Sequence, residues 1–132
     1  MQRSSALRAA VIGFALLKAM TGSALADVKD YEFQLIDKEL KKGETVIAVK
    51  LVHKPSGRAV PDAVIFAKRI DMAPDGMEMM ASPIEAASPT EPGVYRFKTE
   101  LTMEGRWQLS LGAKVQGETG TIENKLIVKA IR

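Results

Sequence analysis

Apolar and polar residues alternate with a period of two along most of the chain after residue 27. This is the period of a β-strand with one buried face. Three early strands are indicated by apolar residues of one parity: Tyr31, Phe33 and Leu35; Ile47, Val49 and Leu51; and Val64, Phe66, Ile70 and Met72. Residues 38–42 are predicted to be a charged connector ending at Gly43, and Lys-Pro-Ser-Gly at 54–57 is predicted to be a turn.

A proline-rich stretch interrupts the alternation, which then returns. Residues 81–93 contain three prolines, so they are predicted to be a loop or an edge crossing. A three-residue loop at 104–106 would make a hairpin whose apolar residues share one face. The predicted opposed pairs are Met103 with Trp107, Leu101 with Leu109, and Thr99 with Leu111. A last strand is predicted over 121–131, after a turn at 117–120.

About seven short strands and no helical period predict an all-β fold. The expected architecture is an immunoglobulin-like two-sheet β-sandwich. The chain has no cysteine, so the hallmark disulfide of that fold is missing. The core is therefore expected to depend on the aliphatic residues together with Trp107, Phe66, Phe97 and Tyr95.

The N-terminal segment has the pattern of a cleavable signal peptide. Arg3 and Arg8 are its basic residues, residues 9–17 are apolar, and Ala24-Leu25-Ala26 is a small-x-small cleavage site. The apolar run is far shorter than the ~20 residues that span a bilayer. We therefore predict a signal peptide at 1–26 and an exported, periplasmic domain at 27–132, with no retained membrane anchor.

Removing that segment changes the charge balance. The chain carries 19 basic and 16 acidic residues, and three of the basic residues lie before residue 27 with no acidic one. The remaining domain has 16 of each, a net charge of zero. Because nucleic-acid binding needs a standing basic patch, it is not expected here.

Methionine is concentrated in one short segment. Met72, Met77, Met79 and Met80 fall within nine residues. If residues 73–76 close a hairpin, Met72 and Met77 lie opposite each other with their Cβ atoms ~5 Å apart. Met79 would share the face of Met77, and Met80 would point the other way.

Thioether sulfur is a soft neutral ligand that suits Cu(I). The pattern therefore predicts a site for Cu(I), or for Ag(I), on Met72, Met77 and Met79, with Met103 as a fourth ligand and Met80 in reserve. The alternative is that these residues extend the core, because methionine often fills irregular apolar gaps and packs on indole rings.

Enzymatic chemistry is not indicated. His53 is the sole histidine, and at the end of a strand it is expected to be solvated rather than a ligand. The chain has no Gly-x-Ser-x-Gly elbow and no phosphate-binding glycine loop. We predict that the protein is not an enzyme.

Several of these residues together resemble the FixH/YtkA-like family of small exported bacterial domains. The resemblance rests on Gly93-Val-Tyr95 and on Met103-Glu-Gly105-Arg-Trp107, preceded by the methionine-rich segment, and it covers roughly 45–130. It implies an immunoglobulin-like sandwich outside the cytoplasmic membrane. It also implies a role in copper delivery to respiratory oxidases or in heavy-metal efflux, with Met72, Met77, Met79 and Met103 at the family's methionine positions.

The sequence departs from that family in two ways. FixH-type members keep a transmembrane helix, which is not expected here. The methionines of copper carriers often have histidines beside them, and no histidine lies in this methionine-rich segment.

The functional prediction is a periplasmic accessory domain that binds copper weakly and assists a membrane efflux pump or an oxidase assembly component. The alternative is a metal-free interaction module that docks on such a pump or oxidase subunit.

Overall fold

The computed structural model describes residues 28–132, which form two β-sheets packed face to face. The predicted signal peptide lies outside the described residues. Within them, no helix is long and apolar enough to cross a membrane. The strands are β1 (Tyr31–Leu35), β2 (Glu39–Lys41), β3 (Gly43–His53), β4 (Arg58–Ala59), β5 (Val64–Met72), β6 (Met77–Ser82), β7 (Ile84–Ala87), β8 (Val94–Leu101), β9 (Gly105–Lys114) and β10 (Ile122–Ile131).

Each sheet contains five strands. The first has the order β1-β3-β8-β7, with β4 also paired to β3, and the second has the order β2-β10-β9-β5-β6. All neighbours are antiparallel except β2 and β10, which are parallel. The immunoglobulin-like all-β prediction is confirmed. Three strands beyond the predicted seven are short: β2, β4 and β7.

The prediction for residues 38–42 was incomplete. Glu39–Lys41 is not only a connector, because it pairs as β2 with Lys129–Ile131 of β10. Nothing in its own alternation marks it as a strand, since only Leu40 is apolar. Its pairing partner is ninety residues away along the chain.

The core lies between the sheets and centres on Trp107, which is completely buried. Phe33 and Phe97 are also buried, and Tyr95 packs against their cluster. The prediction for Phe66 was wrong: its side chain is 55% exposed. A bulge between Ile65 and Ala67 shifts the register of β5 against β9. Phe66 is the extra residue of the bulge, so the alternation of inward and outward side chains is broken at this position.

The predicted hairpin at 104–106 was also wrong. β8 belongs to the first sheet and pairs with β3 and β7, whereas β9 belongs to the second and pairs with β5 and β10. Leu101 therefore lies opposite Gly43, and Leu109 lies opposite Ile70 and Leu126. The short connection crosses from one sheet to the other.

The proline-rich stretch behaves partly as predicted. β6 is the edge strand of the second sheet and β7 is the edge strand of the first. Pro83 lies between them, so the chain changes sheets at this residue. Proline fits there because it has no N–H to donate to a ladder.

Candidate methionine site

The hairpin between β5 and β6 forms as predicted. Met72 and Met77 are directly paired across it, and residues 73–76 form the loop. Ala73–Asp75 is a single 3-10 turn. Gly76 ends it with φ 75° and donates its N–H to the Ala73 carbonyl at 2.9 Å. Glycine suits this position because side chains disfavour positive φ.

A buried carboxylate holds the first part of the hairpin. Asp71 is only 4% exposed, and its Oδ1 accepts a hydrogen bond from the Ala73 N–H at 2.9 Å. Its Oδ2 lies 2.8 Å from Arg69 Nε. Arg69 also donates to the Glu78 carbonyl at 3.1 Å. One ion pair therefore fixes both the start of the loop and the strand that follows it.

A second ion pair attaches the loop to β9. The Asp75 carboxylate accepts hydrogen bonds from the Arg106 backbone N–H and from Arg106 Nε, each at 2.8 Å. Arg106 Nη2 donates to the Pro74 carbonyl, also at 2.8 Å. The backbone N–H of Arg106, followed by its guanidinium, lowers the pKa of Asp75 below the ordinary 3.8. We call this arrangement the Asp75–Arg106 clamp.

Met72 is part of the core. Its side chain has no exposed surface. A Cβ built on Gly105 would come within 2.6 Å of the Met72 methyl carbon, so the backbone of Gly105 covers that side chain closely. Met72 therefore packs in the core, and the structure does not bring this predicted ligand to the surface.

The other methionines of the segment differ from it. Met79 is 94% exposed, while Met77 and Met80 are 36% and 40% exposed. None of the three belongs to the core cluster or to the partly buried residues packed against it. Core filling therefore does not explain these three residues.

The strand that carries them is irregular. Its register passes from Met72 opposite Met77 to Asp71 opposite Ala81, so residues 78–80 have no direct partners on β5. The predicted faces of Met77, Met79 and Met80 assumed regular alternation along an unbroken strand. The irregular register means that alternation does not assign the faces of residues 78–80.

Met103 lies at the same end of the sandwich. It follows β8 and precedes Gly105, the residue that covers Met72. Trp107 does not lie opposite it in a ladder but donates its indole N–H to the Met103 carbonyl at 3.0 Å. The Ser82 hydroxyl at the end of β6 donates to the Glu100 carbonyl of β8. This contact ties the two methionine-bearing segments together.

Met103 is 37% exposed. The four accessible side chains are therefore contributed by β6 and by the β8–β9 connection. We call them the methionine rim: Met77, Met79, Met80 and Met103. Three of the four predicted ligands belong to it, Met72 does not, and Met80 replaces it.

His53 lies far from the methionine rim. It ends β3, whereas Gly43 begins that strand and pairs with Leu101 beside the rim. Ten residues of strand span roughly 33 Å. The His53 Nδ1 atom is 2.8 Å from the Ser56 hydroxyl, within the tight turn that follows β3. Within residues 28–132, no three His, Cys, Asp or Glu side chains are grouped so as to hold a metal.

A groove opens on the side of the sandwich between the β5 and β7 edges. It has a volume of about 610 Å³ and is lined mainly by alanine, proline and aromatic side chains, among them Ala63, Pro89 and Phe97. Lys68 lies opposite the inward-facing Leu111, so it occupies an inner-face position beside this groove. Residues 64–69 of β5 have no partner on the side of β6, and an inward lysine protects such an unpaired stretch from pairing with other chains.

Known proteins resemble this chain to different degrees. The crystal structure of the Lin-41 filamin domain is similar at 20% identity, covering 75% of this chain and 93% of that one, with a TM-score of 0.42. No curated protein matches the chain significantly. The YtkA-like family model matches residues 25–112, two thirds of the chain, and the protein therefore belongs to the YtkA-like family.

Proposed function

We propose that this YtkA-like domain is exported to the periplasm and binds a soft monovalent ion, Cu(I) or Ag(I), through thioethers of the methionine rim. It would pass the ion to a membrane efflux pump or to an oxidase assembly component. The observation that carries the proposal is the exposure of four methionines at one end of the sandwich. Exposed apolar side chains lose the burial energy that usually accounts for their presence.

The chemistry of the rim favours a soft ion. Sulfur ligands select Cu(I), whereas hard divalent ions prefer oxygen. A thioether has no proton to lose, so binding to the rim would be nearly independent of pH. Asp71 and Asp75, the carboxylates on either side of the hairpin loop, are each held by an arginine and serve the hairpin.

The proposed ligands are Met77, Met79 and Met103, with Met80 available as a further sulfur. Met72 was predicted as a ligand on the strength of its pairing with Met77. We assign it to the floor of the site, because an ion that reached its sulfur would have to pass beneath Gly105. Few neutral ligands make a site that releases its ion readily, as a transfer protein requires.

Competition with a chromogenic Cu(I) chelator under anaerobic conditions tests the proposal. The rim variant carries Met77→Leu, Met79→Leu, Met80→Leu and Met103→Leu, which keep most of the apolar volume and remove the sulfur. It should lose Cu(I) binding. The matched control, Met72→Leu, should keep it. The proposal is wrong if the rim variant withdraws as much Cu(I) from the chelator as the unsubstituted protein.

A metal-free docking module is the second candidate. It is favoured by the position of β6, an edge strand whose outer side pairs with nothing in the described part of the second sheet. Exposed methionines are adaptable apolar contacts for a partner protein. Leucine provides similar contacts, so under this alternative the rim variant would still bind the partner, and the unsubstituted protein would leave the chelator's Cu(I) untouched.

A further inference from the structure

The five methionines of the domain differ sharply in access to solvent. Met79 is almost fully exposed, three others are partly exposed, and Met72 is sealed in the core. We propose that the methionine rim is a site of reversible oxidation to methionine sulfoxide by hydroperoxides, and that this modification switches off soft-metal binding. The second half of this inference rests on the proposed function, whereas the first half does not.

The reaction is a two-electron transfer of oxygen. A lone pair of the thioether sulfur attacks one peroxide oxygen, the O–O bond breaks, and the sulfur becomes a sulfoxide. The other oxygen leaves as water, or as an alcohol from an organic hydroperoxide, after a proton reaches it. A methionine sulfoxide reductase reverses the change with electrons from thiols.

The composition directs oxidants to this place. The chain contains no cysteine, so no thiolate competes for peroxide. Methionine sulfur is then the most readily oxidised group, and in the sandwich it is accessible only at the rim among residues 28–132. Met79 should react first because nothing in that region covers it.

The fold also allows the change to be reversed. Oxidation makes a methionine polar, which disrupts a core but costs little at a surface. Met72, whose oxidation would put a sulfoxide into the core cluster that includes Trp107 and Leu109, is the one that Gly105 covers. Rim oxidation would therefore leave the sandwich folded.

The effect on metal binding follows from the donor atoms. A sulfoxide presents a hard oxygen, and its sulfur has lost the soft thioether character that Cu(I) and Ag(I) select. Three or four such changes at one rim remove the proposed ligand set. Binding should return when the sulfoxides are reduced.

The first experiment needs no metal. The purified protein is treated with hydrogen peroxide, and oxidation of each methionine is followed by peptide mass spectrometry. Met79 should react fastest, the other rim residues next, and Met72 at least about tenfold more slowly than Met79. In denaturant the five rates should converge. Equal rates for Met72 and Met79 in the folded protein, or loss of the native Trp107 fluorescence when only the rim is oxidised, would overturn the inference.

The second experiment uses Ag(I), which does not cycle with peroxide as Cu(I) does. Calorimetric titrations compare the reduced protein, the rim-oxidised protein and the oxidised protein after treatment with the reductase. Binding should be present, absent and restored in that order. Equal affinity in the first two samples would overturn the switch. No binding in the reduced protein would overturn both the switch and the proposed function, while the order of oxidation would stand on its own result.

Discussion

Single residues decide which methionines are available for chemistry. Met72 and Met77 are opposite each other in the ladder, yet one is sealed and the other is partly exposed. The difference comes from Gly105, whose missing side chain allows β9 to lie directly on Met72. The pairing of Met72 with Met77 could be predicted from the hairpin, but the residue that covers Met72 begins a strand 33 residues further along the chain.

Replacing Gly105 with alanine should therefore be costly. Its φ of 138° disfavours any side chain, and the new Cβ would fall 2.6 Å from both the Met72 methyl and an Asp75 oxygen. The expected loss is about 3 kcal/mol of unfolding free energy, the sum of backbone strain and overpacking. Denaturant unfolding measures it.

Gly76→Ala is the matched control for that variant. Gly76 also has a positive φ, but no atom lies within 4 Å of the position where its Cβ would be. It should cost only about 1 kcal/mol, the penalty of the left-handed conformation alone. Equal losses of unfolding free energy in the two variants would show that the contact between Gly105 and Met72 does not contribute to the cost.

Phe66 provides a second residue-scale test. Its parity predicts a core residue, but the bulge turns it outward, where its ring lies on Gly112. Phe66→Ala should cost about 1 kcal/mol, because much of its surface is already in water. Phe97→Ala should cost about 3–5 kcal/mol, because Phe97 is buried. A loss for Phe66→Ala as large as that for Phe97→Ala would contradict the exposed placement.

At the scale of elements, the β5–β6 hairpin is the unit that presents the rim. Its loop was predictable because Ala-Pro-Asp-Gly has turn chemistry in the right order. Its attachment was not, because Arg106 looked like part of another hairpin loop. The Asp75–Arg106 clamp is a contact between elements, which no local pattern reports.

The clamp should make stability depend on pH. The folded-state pKa of Asp75 is lowered, so its stabilising contribution is present above the ordinary value of 3.8 and is lost as the pH falls through the lowered pKa. Asp75→Asn should therefore lower the melting temperature near neutral pH. The difference from the unsubstituted protein should shrink as the solution is acidified.

A carboxyl on the same hairpin but outside the clamp provides the control. Glu78→Gln removes a charge from β6, whereas the hydrogen bonds of the clamp join Arg106 to Asp75 and to the Pro74 carbonyl. Its melting temperature should follow that of the unsubstituted protein across the same range. If Asp75→Asn behaved in the same way as Glu78→Gln, the clamp would have no part in holding the hairpin.

At the scale of the whole molecule, the inward and outward faces were easier to predict than the sheet partners. Leu101, Leu109 and Leu111 were correctly placed on the buried side, since alternation reports burial. A hairpin and a sheet crossing place these residues inward equally well, so the pattern could not choose between them. β2 was missed because it is a strand only through its pairing with β10, and the pattern of apolar residues does not report such a distant partner.

The same limit applies to the candidate site. Sequence could predict a methionine-bearing hairpin, and Met77, Met79 and Met103 do keep accessible surface. It could not predict which methionine the opposite sheet and β9 would bury. Exposure is a property of the assembled sandwich, and the choice between the proposed metal site and core packing depends on it.

Methyl NMR of the protein labelled at methionine methyl groups tests the central claim most directly. Anaerobic titration with Cu(I) should shift the methyl signals of Met77, Met79, Met80 and Met103 and leave that of Met72 nearly unchanged. If the rim signals stay in place at saturating Cu(I), or if only the Met72 signal moves, the accessible methionines are not the ligands.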